Sequence, residues 1–226
     1  MQARHISALL LGLLLVSLNA AADPSEWPDL LKEAVSNTDD DPNYAYDMVL
    51  EFSGEDAAAP IRVAIDPKAE PGAQVSILSA PDEDTGQDVK EDISSDVDGI
   101  GWCDTLGEMI ADSVNLAKDT AQIAVFEFKP KPNEDAEERE RKMFKHLQAE
   151  LTIDKATRRA KGFRYYLPEP YKPAIIAKIN EFEVTGACDD APNGRPYISS
   201  VSTKIRGNAM GQAFSESIVQ RFENLR

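Results

Sequence analysis

The chain has 226 residues, of which 40 are Asp or Glu and 24 are Lys or Arg, for a formal net charge of −16. A field of that sign argues strongly against attachment to nucleic acid, or to an anionic membrane surface, through charge. Such acidity keeps a chain soluble; a second role, attracting a basic partner to acidic loops, stays open.

The N-terminus reads MQARHISALLLGLLLVSLNAAADP. Arg4 and His5 precede an apolar run from Ile6 to Leu18, and Ala20, Ala21 and Ala22 follow. A basic start, a short apolar stretch and small residues at its end predict a signal peptide over 1–22, cut to leave Asp23 first. An uncleaved anchor is the alternative, although the run is short for a spanning helix. No cysteine lies near the cut, so a lipoprotein anchor is not expected. No later stretch is apolar enough to span a bilayer. The expected product is exported, most simply to a bacterial periplasm, and is not an integral membrane protein. Residues 23–226 suit one domain with enough chain to bury a core.

Cys103 and Cys188 are the only cysteines. In an oxidising compartment the pair reads as one disulfide, with two free buried thiols as the alternative. A bridge over so long a loop stabilises by roughly 4–5 kcal/mol on the loop-entropy account. Their spacing is too long for a redox CxxC motif, and two thiols without companion histidines make no zinc site.

In chain order, SEWPDLLKEAV (25–35) predicts a helix. Trp27, Leu30, Leu31, Ala34 and Val35 share one face, with Ser25 as cap and Pro28 in the first turn. NYAYDMVLEF (43–52) alternates strictly and predicts a strand with Tyr44, Tyr46, Met48, Leu50 and Phe52 on one apolar face. PIRVAIDP and AQVSILS follow as strands. Residues 80–100 are acidic and poor in apolar side chains, which predicts an exposed excursion, with or without a short helical turn. TLGEMIADSVNLAK predicts a helix over 105–117, with Thr105 and Glu108 as a capping box and Leu106, Met109, Ile110, Val114 and Ala117 as its stripe. AQIAVFEFK is a strand, and PKPNEDAEERERK a solvated charge run or short helix.

HLQAELTID and GFRYYLP alternate on either side of KATRRAK and predict a hairpin. In it Leu151, Phe163 and Tyr165 face the apolar side. AIIAKINEFEVT (174–185) predicts one longer strand whose phase slips near Asn180 and Glu181, the mark of a bulge. YISSVSTKIRG, with Val201 and Ile205 inward, and AFSESIVQRFENL, with Phe214, Ile218 and Phe222 aligned, are the last strands. About eight strands with short connections predict an antiparallel sheet, and one-sided strands must curl or be covered. The helices at 25–35 and 105–117 are the natural covers. The fold class is α+β, mainly β.

This order of elements resembles the LolA/LolB-like superfamily of envelope proteins over residues 27–224. The C-terminal segments HLQAELTIDKATRRAKGFRYYLP, AIIAKINEFEVTGA and GRPYISSVSTKIRGNAMGQAFSESIVQRFENL carry most of the likeness. The resemblance implies a curved antiparallel sheet, an incomplete barrel, covered by two or three helices. It also implies a concave apolar face that holds acyl chains of lipids or of lipid-modified proteins.

Catalytic signals are poor. His146 is the only histidine after His5, and no G-x-S-x-G surrounds a serine. The acids at 82–88 and 96–98 have no glycine and terminal glutamate at EF-hand spacing. No phosphate-binding loop occurs. The expectation is a non-enzymatic carrier without cofactor or metal, binding a lipid or lipid-modified protein. Its apolar contact residues would be Tyr44, Tyr46, Met48, Leu50, Phe52, Leu106, Met109, Ile110, Leu151, Phe163 and Tyr165. Plain core packing is the competing reading of each. The alternative function is an envelope interaction module with a self-filled core and a protein partner.

Overall fold

A computed structural model of the chain describes residues 27–36, 43–53, 59–94, 97, 99–111, 113–132 and 136–226. The expected signal peptide and the Ser25 cap lie outside them. Eleven strands follow in order: β1 Tyr46–Ser53, β2 Ile61–Ile65, β3 Val75–Ser79, β4 Asn115–Asp119, β5 Ile123–Phe128, β6 Gln148–Asp154, β7 Arg159–Tyr166, β8 Tyr171–Ala174, β9 Ala177–Asp190, β10 Pro196–Ala209 and β11 Gln212–Glu223. They form one curved, unclosed antiparallel sheet in the order β3-β2-β1-β11-β10-β9-β7-β6-β5-β4, with β8 on β9. Helices α1 (Asp29–Ala34), α2 (Glu83–Ser94) and α3 (Glu138–Phe144), and a 3-10 helix Cys103–Met109, complete the fold.

The register puts like with like on each face. Met48 pairs with Phe222 and Phe52 with Ile218, Thr203 with Ile218 and Gly207 with Phe214, and Ile205 with Phe182. Directly paired residues share a face, so this is the inner, apolar side. The outer side carries ion pairs between neighbouring strands. Arg221 reaches Glu51 (Nη1 to Oε2, 3.0 Å), Lys204 reaches Glu181 at 2.9 Å, and Arg164 lies 3.7 Å from Glu150. A charged outer face cannot pack on a second layer without desolvation, so most burial is on the inner face, with Val49 of β1 a buried exception on the outer one.

Two buried clusters occupy that face. In one, α1 and the 3-10 helix cover β5, β6 and β7, bringing Leu31, Leu106 and Ile110 onto Phe126, Leu151 and Ile153. In the other, Tyr46, Met48 and Leu50 pack with Ile61, Val63 and Trp102. The face of NYAYDMVLEF therefore meets protein: Tyr46, Met48 and Leu50 are buried.

Three expectations are corrected. Residues 105–117 are not one helix. The 3-10 helix ends at Met109, and the chain then runs beside 129–131. Lys131 N–H donates to the Met109 carbonyl and Ala111 N–H to that of Lys129, so edge pairing takes the groups an α-helix would use. Gly107 also sits so close to Val35 that a Cβ would collide with it. Leu106 and Ile110 are nonetheless buried as the stripe required. Second, 174–185 is a β8–β9 hairpin turning at Ile175 and Ile176, not a single strand. The expected bulge is present within β9: Glu181 pairs with Arg206 and Ile179 with Gly207, leaving Asn180 over. Third, much of the acidic excursion is the helix α2. Asp82 starts it, accepting from the Thr85 N–H and hydroxyl, both at 2.8 Å. Those two bonds to Thr85 hold the Asp82 carboxyl below its ordinary range. Gly86 lets the helix settle on Ile77 and Ala80.

Candidate functional site: the inner face of β9, β10 and β11

β9 and β10 are each 14 residues long, which gives strands of about 45 Å. Their inner-facing residues, with those of β11, form a mostly apolar lane. Ile179, Phe182 and Val184 come from β9, Val201 and Ile205 from β10, and Phe214 and Ile218 from β11. Thr203, Glu216 and Gln220 interrupt it. All seven apolar side chains are only half-buried, and none belongs to either core cluster. The described helices make their main contacts to the sides or at the Cys188 end: α1 on β6 and β7, α2 on β3, α3 on β8, and the 3-10 helix on β7 and β10. The lane lies between the two covered cores.

Glycine shapes this face. A Cβ on Gly186 would run into the ring of Phe163, and one on Gly207 into the ring of Phe214 and the Lys178 carbonyl. Aromatic rings folded over glycines on the neighbouring strand let a sheet bend sharply and keep the ring flat on the inner side.

At the Cys188 end the 3-10 helix is locked down. Cys103 is disulfide-bonded to Cys188 on β9, closing 85 residues of sequence. The next residue, Asp104, forms a bidentate pair with Arg195 in the β9–β10 connection (2.7 and 2.8 Å), and both side chains are only 7% exposed. The Arg195 guanidinium lies 4.3 Å from the Trp102 ring centroid, a cation–π contact. Trp102 in turn bridges to Tyr197, and the Ile198 N–H donates to the Gly101 carbonyl at 2.8 Å.

The candidate contact residues fall into separate groups. Tyr44, Tyr46, Met48, Leu50 and Phe52 belong with the β1–β3 cluster, Tyr44 and Phe52 at its half-buried margin. Leu106, Ile110 and Leu151 are buried in the other cluster, and Phe163 and Tyr165 pack at its margin, ring centroids 5.5 Å apart. Met109 is half-buried. Burial pushes the Tyr165 phenol up to about 12. Of the eleven, Phe52, Phe163 and Tyr165 border the lane, through Ile218, Gly186 and Val184. The lane's own Phe182, Val184 and Ile179 were not singled out from sequence, because 174–185 gave no sign of which side would stay uncovered. Asp104 and Arg195 carry no sequence signal beyond Asp104 adjoining a cysteine.

Among the described residues no cluster of His, Cys, Asp and Glu is placed to hold a metal ion, and no helix is long and apolar enough to cross a membrane. No family model matches the chain, and no curated protein matches it. Among solved structures it is similar to a LolA superfamily protein, NE2245 from Nitrosomonas europaea. The identity is 10%, over 87% of this chain and 91% of that one, with a TM-score of 0.34. It is similar more faintly to a hot dog fold protein from Alicyclobacillus acidocaldarius, with 8% identity over 87% and 84% and a TM-score of 0.15. Neither likeness places the chain in a family.

Proposed function

We propose that the protein is an exported, non-enzymatic carrier that holds acyl chains of a lipid or lipid-modified protein along the inner face of β9–β11. The observation that carries this reading is the lane itself: seven apolar side chains, half-buried, on the inner side of the sheet and outside both cores. A row of apolar side chains left only half-buried and outside a core is a candidate ligand surface. Each methylene moved from water onto it contributes about 0.8 kcal/mol. A ligand of flexible chain chemistry suits a surface with one Glu and no cluster of donors. Export is supported by the disulfide, which forms in oxidising compartments.

The second reading, an interaction module with a self-filled core, draws on the burial of Tyr46, Met48 and Leu50. A fluorescent fatty acid separates the two. Saturable binding that Ile205→Glu abolishes and Leu78→Glu leaves intact supports the carrier; Leu78 is exposed on the edge strand β3. Absence of saturable binding supports the module. His146 stacks on Tyr171, ring centroids 4.4 Å apart, and is assigned to packing; His146→Ala leaves fatty-acid binding unchanged on this account.

A further inference from the structure

At the end away from Cys188 the sheet narrows to a tongue. β1 pairs with β11 only from Ser217 on, and β7 pairs with β9 only from Glu183 on. Beyond those points the sheet consists of β8, with α3 packed on it, and the adjoining parts of β9, β10 and β11, reaching roughly 20 Å further. It ends in two hairpin tips side by side, joined by the Met210 N–H donating to the Ile176 carbonyl at 2.8 Å.

The tips carry the three most exposed large apolar side chains among the described residues: Ile175 at 104%, Met210 at 80% and Ile176 at 64%. Such side chains at a protruding apex contribute nothing to a core. The charge around them is locally basic. Between Tyr171 and Asn180, and between Arg206 and Ser215, there are three cations, Lys172, Lys178 and Arg206, and no carboxylate, in a protein of net charge −16. Arg206 is paired with Glu181.

We infer that this apex docks on a phospholipid bilayer. Ile175, Ile176 and Met210 enter the boundary between headgroups and acyl chains, and Lys172 and Lys178 meet lipid phosphates. Apolar insertion supplies most of the affinity, because the net charge repels an anionic surface at long range while the apex segments themselves hold no acid. Phe214 and Ile179 connect the apex to the apolar lane, so the docked end is the open end of that lane. Docking does not depend on the carrier reading: a protein that carries no lipid could still bind vesicles, and a carrier could fail to.

The test is flotation of the processed protein, its loss of residues 1–22 checked by mass, with phosphatidylcholine vesicles and with vesicles of phosphatidylethanolamine and phosphatidylglycerol. Partition into both is expected. Ile175→Ser/Ile176→Ser/Met210→Ser lowers it at least tenfold with unchanged thermal unfolding. Lys172→Glu/Lys178→Glu lowers it only on the phosphatidylglycerol vesicles, by roughly fivefold per lysine. Leu78→Ser/Leu116→Ser, which alters exposed apolar side chains on the edge strands, leaves it unchanged. A blue shift of Ile176→Trp fluorescence on vesicles supports insertion directly. The proposal is overturned if the wild type does not float, if the edge-strand variant loses binding as much as the apex variant, or if the apex serines abolish only self-association.

Discussion

At the Cys188 end of β9 and β10 a disulfide, a buried ion pair and a cation–π contact converge on three consecutive residues, Trp102 to Asp104. At the Ile176 end the same two strands run out into a tongue with exposed isoleucines, where among the described residues α3 on β8 is the main helical neighbour. The strands are similar in pattern at both ends. What differs is what is brought to them. A short β-rich layer without a second layer has few ways to fix a cover on itself, and here the fixing is concentrated at one end. That leaves the other end, and the lane leading to it, free for contact with something else. Rigidity at one end and exposure at the other are thus two results of one distribution of helices.

The largest test of the comparison is reduction. Cys103→Ser/Cys188→Ser should cost about 4–5 kcal/mol in urea unfolding on the loop-entropy account. Its local signature is faster amide exchange at Ile198 and Ala191, approaching the rate expected at Met210. If exchange rises uniformly instead, the bridge is not what distinguishes the ends. The fatty-acid off-rate should rise as well; indifference of release to reductant would show that the 3-10 helix does not retain cargo.

Next is Asp104→Ala, which strands the buried Arg195 and should cost about 3 kcal/mol or more. Replacing both partners, Asp104→Leu with Arg195→Met, should recover most of that loss, since buried pairs contribute little net stability over well-packed apolar groups. A double variant as weak as the single one would mean that the pair specifies the site rather than merely neutralising itself.

A smaller effect concerns Tyr165, whose phenol is raised to about 12. The unfolded chain ionises near pH 10, so the stabilisation is fully present below that and is lost as pH rises towards 12. By pH 11 the loss is about 1 kcal/mol. Tyr165→Phe should flatten this part of the pH–stability curve and leave the neutral range unchanged, as a series of denaturant melts would show. The smallest expected change in stability is at the lane itself. Val201→Gln should shift unfolding by less than about 1 kcal/mol, because its side chain is only half-buried, yet it should weaken fatty-acid binding. A large destabilisation there would make the lane ordinary core.

Much of the sheet was legible because the sequence alternates. NYAYDMVLEF, HLQAELTID and AFSESIVQRFENL each show a two-residue period that local chemistry does not obscure. The bulge at Asn180 was legible for the same reason, as a slip of phase. The segment after Cys103 was misread because its apolar spacing fits a helix, while Gly107 and the backbone pairing with Lys129 and Lys131 depend on tertiary neighbours. The Asp104–Arg195 pair joins residues 91 apart, beyond any local pattern. The lane was half legible: the period names Val201, Ile205, Phe214 and Ile218 as inward, but whether an inward face is covered depends on where the helices settle.

The most direct measurement is native mass spectrometry of the processed protein, isolated from the export compartment without detergent, with solvent extraction of the same sample. The account predicts a stoichiometric added mass that extraction identifies as lipid, and its loss in Ile205→Glu. A bare polypeptide mass that also takes up no added lipid would contradict it.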